Sequence, residues 1–311
     1  MKNVVAAIGI FDGVHRGHRQ ILRRAVRRAR ARRGTPVAVT FYPHPAAVLA
    51  PASVPPLILS LKERLEAFGA CGIRAVLVIR FTRAFSRWSP EAFVERILVD
   101  RLHVKEVVVG HDFGFGAGRK GTIETLRRLG RRWGFQVRVV PPVRLGGRRI
   151  SSRLIRELIR AGNLGKAAAF LGRPVSVSGR VVPGAGRGRK LGFPTANIRV
   201  QSGVLPPVGV YAVLARIGSG AGVYRGMANI GYRPTFRRKT FGGEPLLEVH
   251  LFGVARPLYG GRVKIRFLKR LRPEKRFASE QLLTAQLKKD AAQVQRLSTV
   301  LKSFTDDGRL W

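Results

Sequence analysis

The chain has 311 residues, of which 45% are hydrophobic and 24% charged, a composition that buries ordinary cores and excludes a disordered chain. Its 59 Lys and Arg against 17 Asp and Glu give a net charge of +42. A single cysteine, Cys71, excludes an intramolecular disulfide framework and any thiolate metal cluster built from this chain alone. No apolar run approaches the roughly 20 residues of a membrane helix. Lys2 and the run after it lack a small-residue cleavage site, so a soluble, cytosolic protein is expected, with no membrane partner. Arg supplies 46 of the 59 basic residues, spread along the whole chain. That spread reads as a general Arg-for-Lys habit and not as a dedicated nucleic-acid face. Acids are scarce: residues 1–62 hold only Asp12, and residues 158–243 hold none.

The first half alternates strand and helix. Apolar runs at 4–11, 37–41, 75–81, 107–110 and 137–140 predict strands. Ser60 with Glu63 predicts a capping box, and Ser89-Pro90-Glu91 a capped helix start. Alternation at this spacing implies a parallel sheet covered by helices, with ligands beyond the C-terminal strand ends. A helix opened by Ser151-Ser152 and a short one after Asn163 lead to a junction near 161–172. Short alternating runs follow at 175–182, 208–217, 223–230, 246–252 and 263–269, separated by Gly/Pro turns, and predict an antiparallel barrel or sandwich. Leu282, Leu283, Gln286, Leu287, Val294, Leu297 and Leu301 predict a terminal helix.

The first strand leads into Gly9-Ile10-Phe11-Asp12-Gly13-Val14-His15-Arg16-Gly17-His18. His15-Arg16-Gly17-His18 is an H-x-G-H pattern, the signature of nucleotidyltransferases. Its position, after a strand and opening a helix among glycines, suits a phosphate-binding turn. Two imidazoles there can donate to a transferring phosphate and its leaving group.

More motifs follow in order: Thr40 to Pro45 (T-F-Y-P-H-P), Gly110 to Gly116 (G-H-D-F-G-F-G), Ile150 to Arg156 (I-S-S-R-L-I-R) and Gly188 to Asn197 (G-R-K-L-G-F-P-T-A-N). Asn229-Ile230-Gly231, Pro234-Thr235-Phe236, Leu258-Tyr259-Gly260 and Arg272-Pro273-Glu274 complete the set. Together they resemble the bacterial bifunctional riboflavin kinase/FAD synthetase (FMN adenylyltransferase) family over roughly residues 4–290. The resemblance implies an α/β Rossmann-like nucleotidyltransferase domain with a parallel sheet at 1–165. A six-stranded antiparallel β-barrel riboflavin kinase domain with a C-terminal helix follows at 172–311. The implied substrates are ATP, riboflavin and FMN, with Mg²⁺ as cofactor. Ile10, Arg153 and Pro257 depart from the family pattern, none of them at a position given a chemical role.

In the first domain, FMN brings its own ionised phosphate, so the site must align two polyanions and needs no strong base. His15 and His18 suit that task. Gly13, Gly17, Ser151, Ser152 and Arg156 are expected at the ATP phosphates, although the two serines alone fit plain helix capping equally well. His44, held between two prolines, and Asp112 and Phe113 past a later strand are expected at the flavin or nucleotide. His44 also reads as a turn residue and Phe113 as core. Gly116-x-Gly118-x-x-Gly121 imitates a dinucleotide-binding loop but follows the wrong strand and lacks its acidic partner. No Walker A loop occurs.

In the second domain, Gly184, Gly186 and Gly188 are expected to arch over ATP phosphates, with charge from Arg187, Arg189 and Lys190. Thr195 and Asn197 offer hard oxygen ligands for Mg²⁺. The strand Leu246 to Phe252 puts Glu248 and His250 on one face and Leu247, Val249 and Leu251 on the other. A strand Glu ordinarily faces solvent; the resemblance makes Glu248 the catalytic base. The rivals are a chain keeping one of the two activities, and a basic RNA- or ribosome-binding protein.

Overall fold

The computed structural model describes residues 1–184, 187–218, 220, 222–232, 245–254 and 258–297. Gly186, Pro234-Thr235-Phe236, Glu244, Pro257 and Leu301 lie outside the described residues. The chain divides into two compact units, Met1–Ser152 and Arg153–Trp311.

The first unit runs β1 (Val4–Ile8), α1 (Arg16–Ala31), β2 (Pro36–Tyr42), α2 (Pro45–Leu49), α3 (Leu61–Ala70), β3 (Ala75–Arg80), α4 (Arg83–Ser86), α5 (Pro90–Phe93), β4 (Val104–Gly110), α6 (Ile123–Trp133) and β5 (Gln136–Val140). All five strands are parallel, in the order β3-β2-β1-β4-β5. The order reverses at β1, so the ligand crevice of such a sheet opens between the C-terminal ends of β1 and β4. Successive residues of β1 serve opposite faces. Val5 and Ala7 pack with Leu22, Ala25 and Phe68 of α1 and α3, whereas Val4, Ala6 and Ile8 pack with Phe93, Leu98, Leu126 and Leu129. The capping box at Ser60 and Glu63 forms as expected, and Ser89 caps α5 with Pro90 at its first position.

A hairpin that the sequence reading missed, β6 (Arg144–Leu145) and β7 (Arg148–Arg149), follows β5. Its turn needs Gly146 and Gly147, both at positive φ. Gly116 and Gly118 also have positive φ, and Phe115 bridges to Gly121, so that false dinucleotide motif is a tight turn.

The far end of α1 is anchored by Glu106 in β4. Its carboxylate has no exposed surface and accepts from Arg28 at 2.7 Å, Arg32 at 2.9 Å and Arg138 at 3.3 Å. Burial alone would raise this carboxyl, but the bonds and charges of Arg28 and Arg32 outweigh it and hold it below the usual range. The stabilisation is therefore full above the unfolded carboxyl pKa, about 4.3, and is lost as pH falls through the lower folded value. Glu106→Gln is expected to cost about 2–3 kcal/mol, below the usual 3–5 for a broken buried pair because the arginines are partly exposed. Thermal melts at pH 7 should show a drop of roughly 5–10 °C, which shrinks as the pH falls below the unfolded carboxyl value.

The second unit holds α7 (Ser152–Arg160, its first residue shared with the first unit), α8 (Leu164–Leu171), β8 (Val175–Val182), α9 (Arg187–Lys190), β9 (Ala196–Ser202), β10 (Gly209–Ile217), β11 (Val223–Gly231), β12 (Leu246–Leu251), β13 (Arg262–Arg272) and α10 (Glu280–Arg296). Six antiparallel strands close a barrel in the order β10-β11-β12-β9-β8-β13. Strand β9 was read from sequence only as a motif; it pairs with both β8 and β12. Helix α10 seals one outer barrel face through Val294, near Ala212 and Met227. Leu282, expected on its apolar stripe, is exposed. The helix is instead fastened by buried Asp290, which accepts from Arg272 at 2.9 Å and Gln286 at 2.9 Å.

Candidate active sites

The turn after β1 is built against backbone preference. Phe11, Gly13 and Val14 all have positive φ, at 52°, 84° and 38°. For Phe and a β-branched Val that conformation costs on the order of 1–3 kcal/mol each, so the surroundings must impose it. Asp12 Oδ1 accepts the backbone N–H groups of Ile58 at 3.0 Å and Leu59 at 3.4 Å. The Ile10 carbonyl accepts from Thr40 Oγ1 at 3.0 Å and Arg64 Nη1 at 2.8 Å. Ser152 Oγ donates to the Asp12 carbonyl at 2.8 Å, which ties the fourth motif to the first. Ile10 thus contributes its carbonyl, which explains why an apolar side chain is tolerated there. Gly13 cannot be replaced: besides its φ, a Cβ would press on Ile58 at 3.0 Å.

His15 caps α1, its Nδ1 accepting the N–H of His18 at 3.2 Å. In the neutral ring the proton then sits on Nε2, which makes that atom a donor. The His15 and His18 rings stack at 3.6 Å, and Phe11 meets His18 edge-on at 5.4 Å. A Cβ on Gly17 would lie 3.2 Å from the His15 ring, so glycine leaves that ring its place. Arg156 is buried in α7, one turn beyond Ser152. Arg153 is exposed and pairs with Glu157 on the same helix, so this departure takes nothing from the cluster.

His44 caps α2, Nδ1 accepting from Ala46 N–H at 3.1 Å, directly before Pro45. Past β4, the exposed Asp112 carboxylate pairs with Arg149 of β7. Its carbonyl accepts from Arg119 Nη2 at 3.0 Å. Phe113 stacks on Phe115 at 5.4 Å and packs on the core. Sequence reading missed the aromatic wall beside it: Phe41, Phe81, Phe85 and Trp88 touch in series at the end of β2 and past β3. One available signal was an aromatic residue at or just past the end of each of those strands.

In the barrel, Asn197 lies directly opposite Glu248, and Glu248 directly opposite Asn229. Directly opposed residues of antiparallel strands project to one face, so the three polar side chains form a row across β9, β12 and β11. Leu247, Val249 and Leu251 are buried on the other face, as the alternation predicted. Asn197 is buried, and its Oδ1 accepts no hydrogen bond among the described residues. A Cβ on Gly184 would overlap the Asn197 amide, and one on Gly188 would strike the Phe193 carbonyl and lie 3.3 Å from Thr195 Oγ1. These glycines are therefore needed for close packing of the arch on the P-T-A-N segment. The arch is not wholly extended: Gly188 and Arg189 lie in the single turn α9. His250 Nδ1 bonds the Pro194 carbonyl at 2.8 Å and sits between Phe193 and Phe252. A Cβ on Gly231 would collide with Glu274, so the N-I-G and R-P-E motifs meet.

Comparison with known proteins matches both units. A family model described as FAD synthetase matches residues 1–154, and one described as riboflavin kinase matches 171–298. The bifunctional riboflavin kinase/FMN adenylyltransferase of Escherichia coli K12 is 41% identical over 286 residues, covering 92% of this chain and 90% of the relative. The protein of that name from Bacillus subtilis is 36% identical, covering 96% and 93%. A solved structure described as a macrolide-efflux protein from Streptococcus pneumoniae superposes with a TM-score of 0.82 at 32% identity, over 94% of both chains. Among the described residues no helix is long and apolar enough to cross a membrane. With the parallel sheet and its H-x-G-H turn in one unit and the closed barrel with its Asn197–Glu248 row in the other, the chain belongs to the bifunctional riboflavin kinase/FMN adenylyltransferase family.

Proposed function

We propose that the barrel phosphorylates riboflavin and the parallel-sheet unit adenylylates the FMN so formed, in the cytosol, through the two residue sets described above. In the barrel, Glu248 accepts the proton of the ribityl 5′-hydroxyl as that oxygen takes the γ-phosphoryl of ATP, leaving ADP. Thr195 and Asn197 would hold Mg²⁺. A hard cation suits a buried amide oxygen that lacks a donor, and it would supply charge neutralisation at the ATP phosphates. Gly184, Gly186, Gly188 and Arg189 cover those phosphates.

In the other unit, the FMN phosphate attacks the α-phosphorus of ATP and pyrophosphate leaves. His15 Nε2 and the His18 ring donate to the oxygens on which charge develops. Ser151, Ser152, Gly13 and Gly17 line the polyphosphate. The Phe113 side of the crevice and His44 receive the flavin, and Asp112 orients it. The observation that carries this reading is the Asn197–Glu248 pairing, which sets the only carboxylate of a mostly apolar strand beside a bare amide oxygen.

A fragment of residues 161–311 tests the separation of the activities. It keeps α8, which packs on β8 and β13. With riboflavin, ATP and Mg²⁺ it should form FMN and no FAD, and EDTA should stop the reaction. A folded fragment that makes no FMN would refute the assignment of the kinase to the barrel.

A further inference from the structure

Arg64 is the largest charged side chain fully enclosed in the first unit, 1% exposed, and no step above uses it. It sits on α3 directly after the capping-box Glu63, and its guanidinium reaches the Ile10 carbonyl, just before the H-x-G-H turn. Nη1 donates to the Ile10 carbonyl at 2.8 Å and lies 3.3 Å from Thr40 Oγ1; both Nη atoms reach the Phe41 carbonyl at 3.5 Å. Burial pulls the guanidinium below its ordinary value, with partial compensation from Asp12 and Tyr42. A buried cation is costly to fold around. An apolar residue would fill the space at lower cost, so the guanidinium is kept for the contacts it makes.

Those contacts converge on one peptide. Ile10 directly precedes the turn in which Phe11, Gly13 and Val14 have positive φ, and its carbonyl takes two donors. From the same side, Asp12 is bound by the N–H groups of Ile58 and Leu59 at the approach to α3. The turn that carries His15 and His18 is thus fastened at two points, by a neutral N–H pair in the segment before α3 and by one guanidinium on α3.

We propose that Arg64 is a positioning residue for adenylyl transfer: through the Ile10 carbonyl it holds the turn in its left-handed conformation and so sets His15 and His18 against the α-phosphate. The proposal rests on the reading of those histidines as transition-state donors. Misplacement by about 1 Å costs on the order of 10²-fold in a reaction that depends on alignment. The loss falls on kcat, because Arg64 touches neither substrate.

The test compares Arg64→Met, Arg64→Lys, Thr40→Val and His18→Ala in the full chain, with steady-state kinetics of FAD formation from FMN and ATP. Arg64→Met is expected to lower kcat by roughly 10–100-fold with KM for FMN and ATP within about threefold. Lys, which keeps one charged donor, should recover most of it. Circular dichroism and the thermal melt of each variant report that the first unit is folded, while riboflavin phosphorylation, which belongs to the other unit, should stay at the parent rate. If Arg64→Met does not fold, Thr40→Val, which removes the other donor to the same carbonyl, should show a kcat-only loss of roughly 3–10-fold. A parent-like kcat in Arg64→Met, or a loss that scales with the unfolded fraction and vanishes on cooling, overturns the proposal while His18→Ala is inactive. A parent-like His18→Ala would instead overturn the histidine reading on which it rests.

Discussion

Glu248→Gln should stop riboflavin phosphorylation and leave FMN adenylylation intact. The ribityl hydroxyl is a weak nucleophile until its proton has an acceptor, and a positioned base is worth roughly 10²–10⁴ in rate. The structure narrows the alternatives among the described carboxylates of the barrel unit. Asp290 is buried against Arg272 and Gln286, Glu274 lies against Gly231, and Glu280 opens α10. Only Glu248 stands opposite Asn197. Gln preserves the shape and the hydrogen bonding of the strand but takes no proton. Supplied FMN should still become FAD at the parent rate, because its phosphate is ionised already. Phosphorylation at the parent rate would remove Glu248 from the mechanism. Loss of both activities would point to misfolding.

His18→Ala is expected to act in the opposite sense: FMN accumulates and FAD formation falls by roughly 10²–10³, the usual cost of one transition-state donor. The His18 ring lies between His15, stacked at 3.6 Å, and the edge of Phe11. Truncation therefore also frees the His15 ring, which places the expected loss toward the upper end. The backbone N–H that His15 accepts belongs to residue 18 whatever its side chain, so the helix cap survives. Undiminished FAD synthesis from FMN would show that the H-x-G-H turn does not stabilise the transferring phosphate.

Periodicity made most elements legible. Strand β8 falls at the residues expected, and the β12 alternation placed Glu248 on the face away from the buried Leu247 and Val249. Strand β9 escaped because its first residues, Ala196 and Asn197, were absorbed into the P-T-A-N motif and its outward Arg199 and Gln201 resemble a loop. The π-helical run Val94–Arg101, which continues α5, had no signal in composition. Within the site, motifs carry residues whose chemistry is in the side chain, such as His15, Asn197 and Glu248. They do not carry residues whose value comes from burial. Arg64 is one arginine among 46, and only the fold distinguishes it from the exposed arginines of α1. Ser151-Ser152 fits a plain cap equally well in sequence, and the bond of Ser152 to the Asp12 carbonyl, 140 residues away, has no sequence signal.

One chain is expected to make both flavin nucleotides in succession. Purified full-length protein, incubated with riboflavin, ATP and Mg²⁺ and sampled over time, should show on chromatography a rise of FMN with one ADP per FMN. FAD should follow, with one pyrophosphate per FAD. Flavin that stays riboflavin throughout, in protein shown to be folded by its melt, would contradict the account.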